Sequence, residues 1–297
     1  MAIAKSRIPK QYLQYFRAMS TIHSYQDPVA KLINLEEKTR WDDIQWLDYT
    51  NRFGLSVADL PELSRLVCDD ELDDELIFCE IHLLRAAVQI APEEGVKLYI
   101  AQLQKFPEDD WLHEEIRGIG RNAAAIAIEP FTKMLTDVTQ EEYVRVTFAN
   151  GLEEIAKTHS ESREACVKAL ISQLKNYHVQ VGDYLNSVLV SNLIQLKAVE
   201  AVDLIGEVFT NRELDEWSTG SWAADEVALG IKKESDFSPE DLKAKPSEKI
   251  LSIREMLDNL SDSANRDIED WKQRSLLPKK PAAKGFGSSK SKKKNVD

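Results

Sequence analysis

Residues 83–103 read LLRAAVQIAPEEGVKLYIAQL. Val96, Tyr99 and Leu103 stand three and then four residues apart, which lays all three on one stripe of a helix. Leu84 belongs to a second helical stripe just upstream, with little chain between the two. The stretch reads as helix, short turn, helix.

The same triplet recurs on both sides. Copies are Leu60/Leu63/Val67, Ile128/Phe131/Leu135, Val167/Leu170/Leu174 and Val202/Ile205/Phe209, so successive copies are offset by 36, 32, 39 and 35 residues. Ile116, Ile155 and Val190 repeat the place of Leu84 under the same offsets. A weaker sixth copy is Ile250/Ile253/Leu257. One helix pair cannot bury its apolar stripes alone, whereas stacked neighbours form a continuous core. No period-two alternation persists anywhere, so the expected class is all-α, with about five helix pairs.

Punctuation agrees with this division. Pro130 is expected just inside the start of a helix at IEPFTKML, where a missing N–H costs little. Ser160 and the run SESREAC are expected to cap the next helix, and Gly182-Asp183 to break the chain before Tyr184. Residues 1–55 read as an N-terminal helical cap, 56–235 as the repeats, and 236–277 as a C-terminal helical segment. Residues 278–297, PKKPAAKGFGSSKSKKKNVD, have nothing to bury and are expected to be disordered.

Charge divides the chain in the same place. The net charge is −13, yet the last twenty residues hold seven lysines against one aspartate, leaving 31 basic against 50 acidic residues in 1–277. An acidic body favours basic partners and disfavours nucleic acid. The tail lysines Lys279, Lys280, Lys284, Lys290, Lys292, Lys293 and Lys294 are instead candidates for contact with nucleic acid or an anionic surface. No apolar run reaches the ~20 residues of a membrane span, and the N-terminus lacks a secretory apolar stretch. Cys68, Cys79 and Cys166 are odd in number and far apart, as suits free thiols. The expected location is the cytoplasm.

LPELSRLVCDDEL (60–72), residues 83–103, AIAIEPFTKMLTD (125–137) and SNLIQLKAVEAVDLIGEVF (191–209) resemble HEAT-like repeats of the phycobilisome-lyase type. Their order is similar to that in a group of bacterial HEAT-like proteins of unassigned function. The resemblance covers roughly 56–235 and implies an α-solenoid. Some members of that group end in a zinc-binding SEC-C module; this chain has no cysteine after Cys166, so zinc binding does not follow. Lyase activity does not follow either, because no catalytic motif matches residue by residue.

Four acid-aromatic pairs form the main candidate surface: Asp110-Trp111, Glu142-Tyr143, Asp183-Tyr184 and Glu216-Trp217. Each stands near the expected start of the first helix of a pair. Two readings stay open. The acids complement helix dipoles while the rings pack over the first turn, or the pairs form an edge that anchors a basic or Pro-rich segment. The run DDELDDE (69–75) lacks the glycine and spacing of a calcium loop and reads as a solvated acidic loop. Cys79 and His82 make at most half a metal site, and HEEIR at 113–117 has arginine where a zinc-protease helix needs its second histidine. Gly118 and Gly120 in RGIGRN follow no strand and read as close-packing positions. No cofactor and no catalytic residue is expected.

A non-catalytic protein-protein interaction scaffold is therefore the leading expectation. The alternatives are a nucleic-acid- or ribosome-associated protein acting through the tail, and a lyase-type enzyme by family analogy.

Overall fold

Helix α4 (Ile77–Ile90) and α5 (Pro92–Lys105) are separated by Ala91 alone. Pro92 opens α5 where its missing N–H is harmless, and Glu93 and Glu94 follow in the first turn, where acids offset the helix dipole. Val96, Tyr99 and Leu103 are all fully buried. The computed structural model describes residues 25–33, 35, 46–68, 77–179, 184–211, 214, 219–244, 252 and 256. Among these residues the chain is all-helical, with no strand.

The remaining helices are α1 (Ala30–Ile33), α2 (Tyr49–Phe53), α3 (Leu60–Val67), α6 (Asp110–Ala123), α7 (Ala125–Thr136), α8 (Glu142–Thr158), α9 (Arg163–Leu174), α10 (Tyr184–Gln195), α11 (Val202–Asn211) and α12 (Trp222–Ala228). Each of the five stronger triplets falls on the second helix of a pair: α3, α5, α7, α9 or α11. Its middle and last members are buried in all five, whereas Leu60, Ile128 and Val202 are half-buried. The first-helix markers Leu84, Ile116, Ile155 and Val190 are buried as well.

Helices α3 to α10 pack on their sequence neighbours. First helices also pack on first helices, α4 on α6, α6 on α8 and α8 on α10, and second helices on second, α5 on α7 and α7 on α9. Helices α1 and α2 pack on α4. Helix α8 touches α6, α7, α9 and α10, so from Val144 to Ala156 only Asn150 is not buried. Close approach is built in here: a Cβ on Gly120 would lie 3.0 Å from the Gly151 carbonyl oxygen. Gly118 likewise leaves room for the Trp46 ring. Both glycines of RGIGRN are close-packing positions.

Two expected helix starts differ. Pro130 lies inside α7, which begins five residues earlier at Ala125, because Ala124 alone (φ 51°) turns the chain out of α6. Ser160 to Ser162 form a 3-10 turn before α9, and Ser162 makes no side-chain cap. The chain divides into two compact units, Met1–Lys245 and Pro246–Asp297. Ser252 and Met256, both helical and exposed, are the described residues of the second. The acidic run 69–75, the triplet Ile250/Ile253/Leu257, Gly182 and the lysine tail lie outside the described residues.

No helix among the described residues is long and apolar enough to cross a membrane. The three thiols are free. Burial pushes Cys79 up to about 12 and Cys166 up to about 11, whereas Cys68 is exposed. Alkylation of the native protein at pH 8 is therefore expected to modify Cys68 first, with Cys79 and Cys166 reacting only after denaturant is added. Mass mapping that finds Cys79 modified as fast as Cys68 would contradict this placement.

Candidate functional site

The first helices run parallel, with their N-termini on one edge. Two contacts and one electrostatic influence mark the alignment. Glu80, early in α4, is held above its ordinary range by burial, then by nearby Asp109, the N-cap of α6. The His113 ring, in the first turn of α6, lies 4.4 Å centroid to centroid from Tyr143 at the start of α8. A Glu142 carboxylate oxygen accepts the Leu185 N–H at the start of α10 over 3.1 Å.

Five of the eight expected edge residues are described: Asp110, Trp111, Glu142, Tyr143 and Tyr184. Asp183, Glu216 and Trp217 lie outside the described residues. The five divide by role. Asp109, not Asp110, caps α6, accepting the Trp111 and Leu112 N–H groups. Asp110 is left exposed. Glu142 ties one helix start to the next, as above. Trp111 is half-buried, while Tyr143 and Tyr184 are each 45% exposed.

The His113 ring packs on the Tyr143 ring at an interplanar angle of 56°. One of its ring nitrogens pairs with the Thr147 hydroxyl, and Nε2 lies 2.7 Å from the Pro107 carbonyl oxygen. The Tyr143 hydroxyl is raised above its ordinary range by partial burial, then by Asp110, Tyr184 and Glu114.

Sequence patterning missed the apolar part of this edge. Phe106, Val138 and Val179 are 39%, 81% and 67% exposed. They sit in the three successive connections that lead from the second helix of one pair to the first helix of the next. Glu108, Glu114 and Glu141 are also exposed. Residues 106–114 and 137–143 contain no lysine or arginine, and that absence was the available signal.

A second feature was also missed. Arg85 on α4 and Glu115 on α6 are both buried, and the guanidinium grips the carboxylate through Nε (2.8 Å to Oε2) and Nη2. Trp46 covers this pair, its ring centroid 5.4 Å from Arg85 Cζ. Farther along, Arg121 on α6 binds Glu154 on α8 at 2.6 Å, and Lys157 binds Glu153 at 2.6 Å. Arg117 reaches both carboxylates at 3.4 and 3.7 Å. The arginine pairs lock first helix to first helix, Lys157 pairs with Glu153 within α8, and each of these cations has its counter-ion.

Cys79 and His82 are both buried, and His82 Nδ1 pairs with the Tyr49 hydroxyl at 2.6 Å, a packed core polar contact. Among the described residues no group of three or more His, Cys, Asp or Glu side chains could hold a metal ion. No protein-family model, no curated protein and no solved structure matches this chain, so what it can do is read from the edge itself.

Proposed function

We propose that the chain is a HEAT-like α-solenoid that works as a protein-interaction scaffold, its partner docking on the edge formed by the N-termini of the first helices. The observation that carries this reading is the half-exposed pair Tyr143 and Tyr184, with carboxylates and no lysine or arginine in residues 106–114 and 137–143 leading to the first of them. Exposed rings held rigidly by neighbours bind at low entropic cost, and aromatic residues dominate the energetics of interfaces. An acidic rim repels phosphate backbones and steers a basic protein surface.

A photo-crosslinking residue placed at 143 or 184 of the full chain in cells tests the reading. One discrete adduct is expected at each, and none from position 168, an exposed site on α9. Equal labelling from all three positions would remove the edge as a specific surface. Tyr143→Ala and Tyr184→Ala are expected to cost about 1 kcal/mol of stability or less, as surface changes do. Thermal melts then separate lost binding from lost folding.

A further inference from the structure

Resting on that reading, we infer that the edge takes an extended, proline-containing segment with lysine or arginine at every third residue, bound as a polyproline II helix.

Spacing carries the first part of the argument. The edge is a ladder whose rungs are the starts of α6, α8 and α10, and packed helices stand roughly 8–10 Å apart. The approach of Gly120 to the Gly151 backbone draws α6 and α8 toward the short end of that range. A polyproline II helix advances about 3.1 Å per residue and repeats every three, or roughly 9 Å per turn. A strand returns to the same face after about 6.7 Å. A helix does so after about 5.4 Å. Only the polyproline II period lets consecutive equivalent side chains meet consecutive rungs.

Chemistry carries the second. Polyproline II segments make no internal hydrogen bonds and are recognised by exposed rings rather than by a strand ladder. Tyr143 offers such a ring, backed by His113, with Tyr184 on the next rung. Val138 and Val179 add exposed apolar steps, while the Phe106 ring carries the Lys105 ammonium 4.9 Å from its centroid. The exposed carboxylates Glu108 and Glu141 share the connections of Phe106 and Val138, and the exposed Asp110 and Glu114 follow at the start of α6. They complement cations that a three-residue repeat would present on one side.

Fluorescence anisotropy with the full-length protein tests this, using labelled synthetic repeats of Lys-Pro-Pro, Lys-Ala-Ala and Glu-Pro-Pro of equal length. The Lys-Pro-Pro repeat is expected to bind saturably, at least about tenfold more tightly than either other peptide. The double variant Tyr143→Ala/Tyr184→Ala is expected to weaken it by at least about tenfold. Asp110→Asn/Glu114→Gln is expected to weaken it and to flatten its salt dependence. Glu164→Gln/Asp203→Asn, which removes two exposed carboxylates elsewhere, is expected to leave it unchanged.

Equal affinity for Lys-Ala-Ala, or binding that survives loss of both tyrosines, overturns the proposal, as does absence of saturable binding. Cross-linking from 143 and 184 is scored independently. A cellular adduct there without Lys-Pro-Pro binding rejects the peptide class and leaves the edge standing.

Discussion

Gly95→Ala is expected to destabilise the fold by about 2–3 kcal/mol, although alanine is by far the better helix former. Gly95 lies in α5, where its backbone crosses α4, and an added Cβ would meet Val88 Cα and N at 2.5 Å and the Ala87 carbonyl carbon at 2.7 Å. Those atoms belong to the backbone of a buried helix, so no side chain can swing aside. The roughly 1 kcal/mol that alanine returns through helix propensity is smaller than the cost of parting two packed helices. Gly151→Ala meets side chains instead, Ile116 Cγ1 and the Phe131 ring at 2.7 Å, which can shift by rotation. It should cost less than Gly95→Ala. Urea melts check both, and a Gly95→Ala protein as stable as its parent would show that α4 and α5 do not approach as described.

Arg85→Met is expected to cost about 3–5 kcal/mol, while Arg85→Met/Glu115→Leu returns to within about 1 kcal/mol of the parent. Both side chains of the pair are only 2% exposed. Removing the guanidinium strands a carboxylate in a dry site. That charge already acts on Tyr99, which is fully buried, whose hydroxyl donates to the Leu112 carbonyl at 2.8 Å, and whose ionisation is held well above its ordinary range by burial, then by Glu115. Replacing both partners removes the charge along with its attraction, and apolar groups of similar volume pack well in such a site. A double-mutant cycle by urea melts measures the coupling. A double variant as damaged as the single one would mean that Arg85 acts through its packing under Trp46 rather than through Glu115.

Helix identity was legible because apolar spacing of three and four is a local property. Five triplets announced five second helices, and the buried stripe on α5 follows directly from Val96, Tyr99 and Leu103. Helix ends were less legible. Pro130 looked like a start because proline suits a first turn, yet α7 begins at Ala125, where one residue with positive φ reverses the chain. Nothing in the composition of residues 123–130 distinguishes that start from one at Glu129. The acid-aromatic pairs were visible, but their division of labour was not. Asp109 and Asp110 are chemically alike, and only backbone geometry makes one the cap and leaves the other exposed.

By itself, then, the chain's sequence determined an all-helical class, the phase of its apolar stripes, and acidic stretches at 69–75, 106–114 and 137–143. Each is set by neighbours a few residues apart. Tertiary structure alone decided which charges meet across helices and which groups share the edge. Arg85 and Glu115 stand 30 residues apart, Arg121 and Glu154 stand 33, and Glu142 and Leu185 stand 43. Those partnerships depend on how far one helix pair is advanced over the next, which connection length and glycine contacts fix jointly. Phe106, Val138 and Val179 read as stray apolar residues in loops until packing of the first helices in parallel brings their connections to one side.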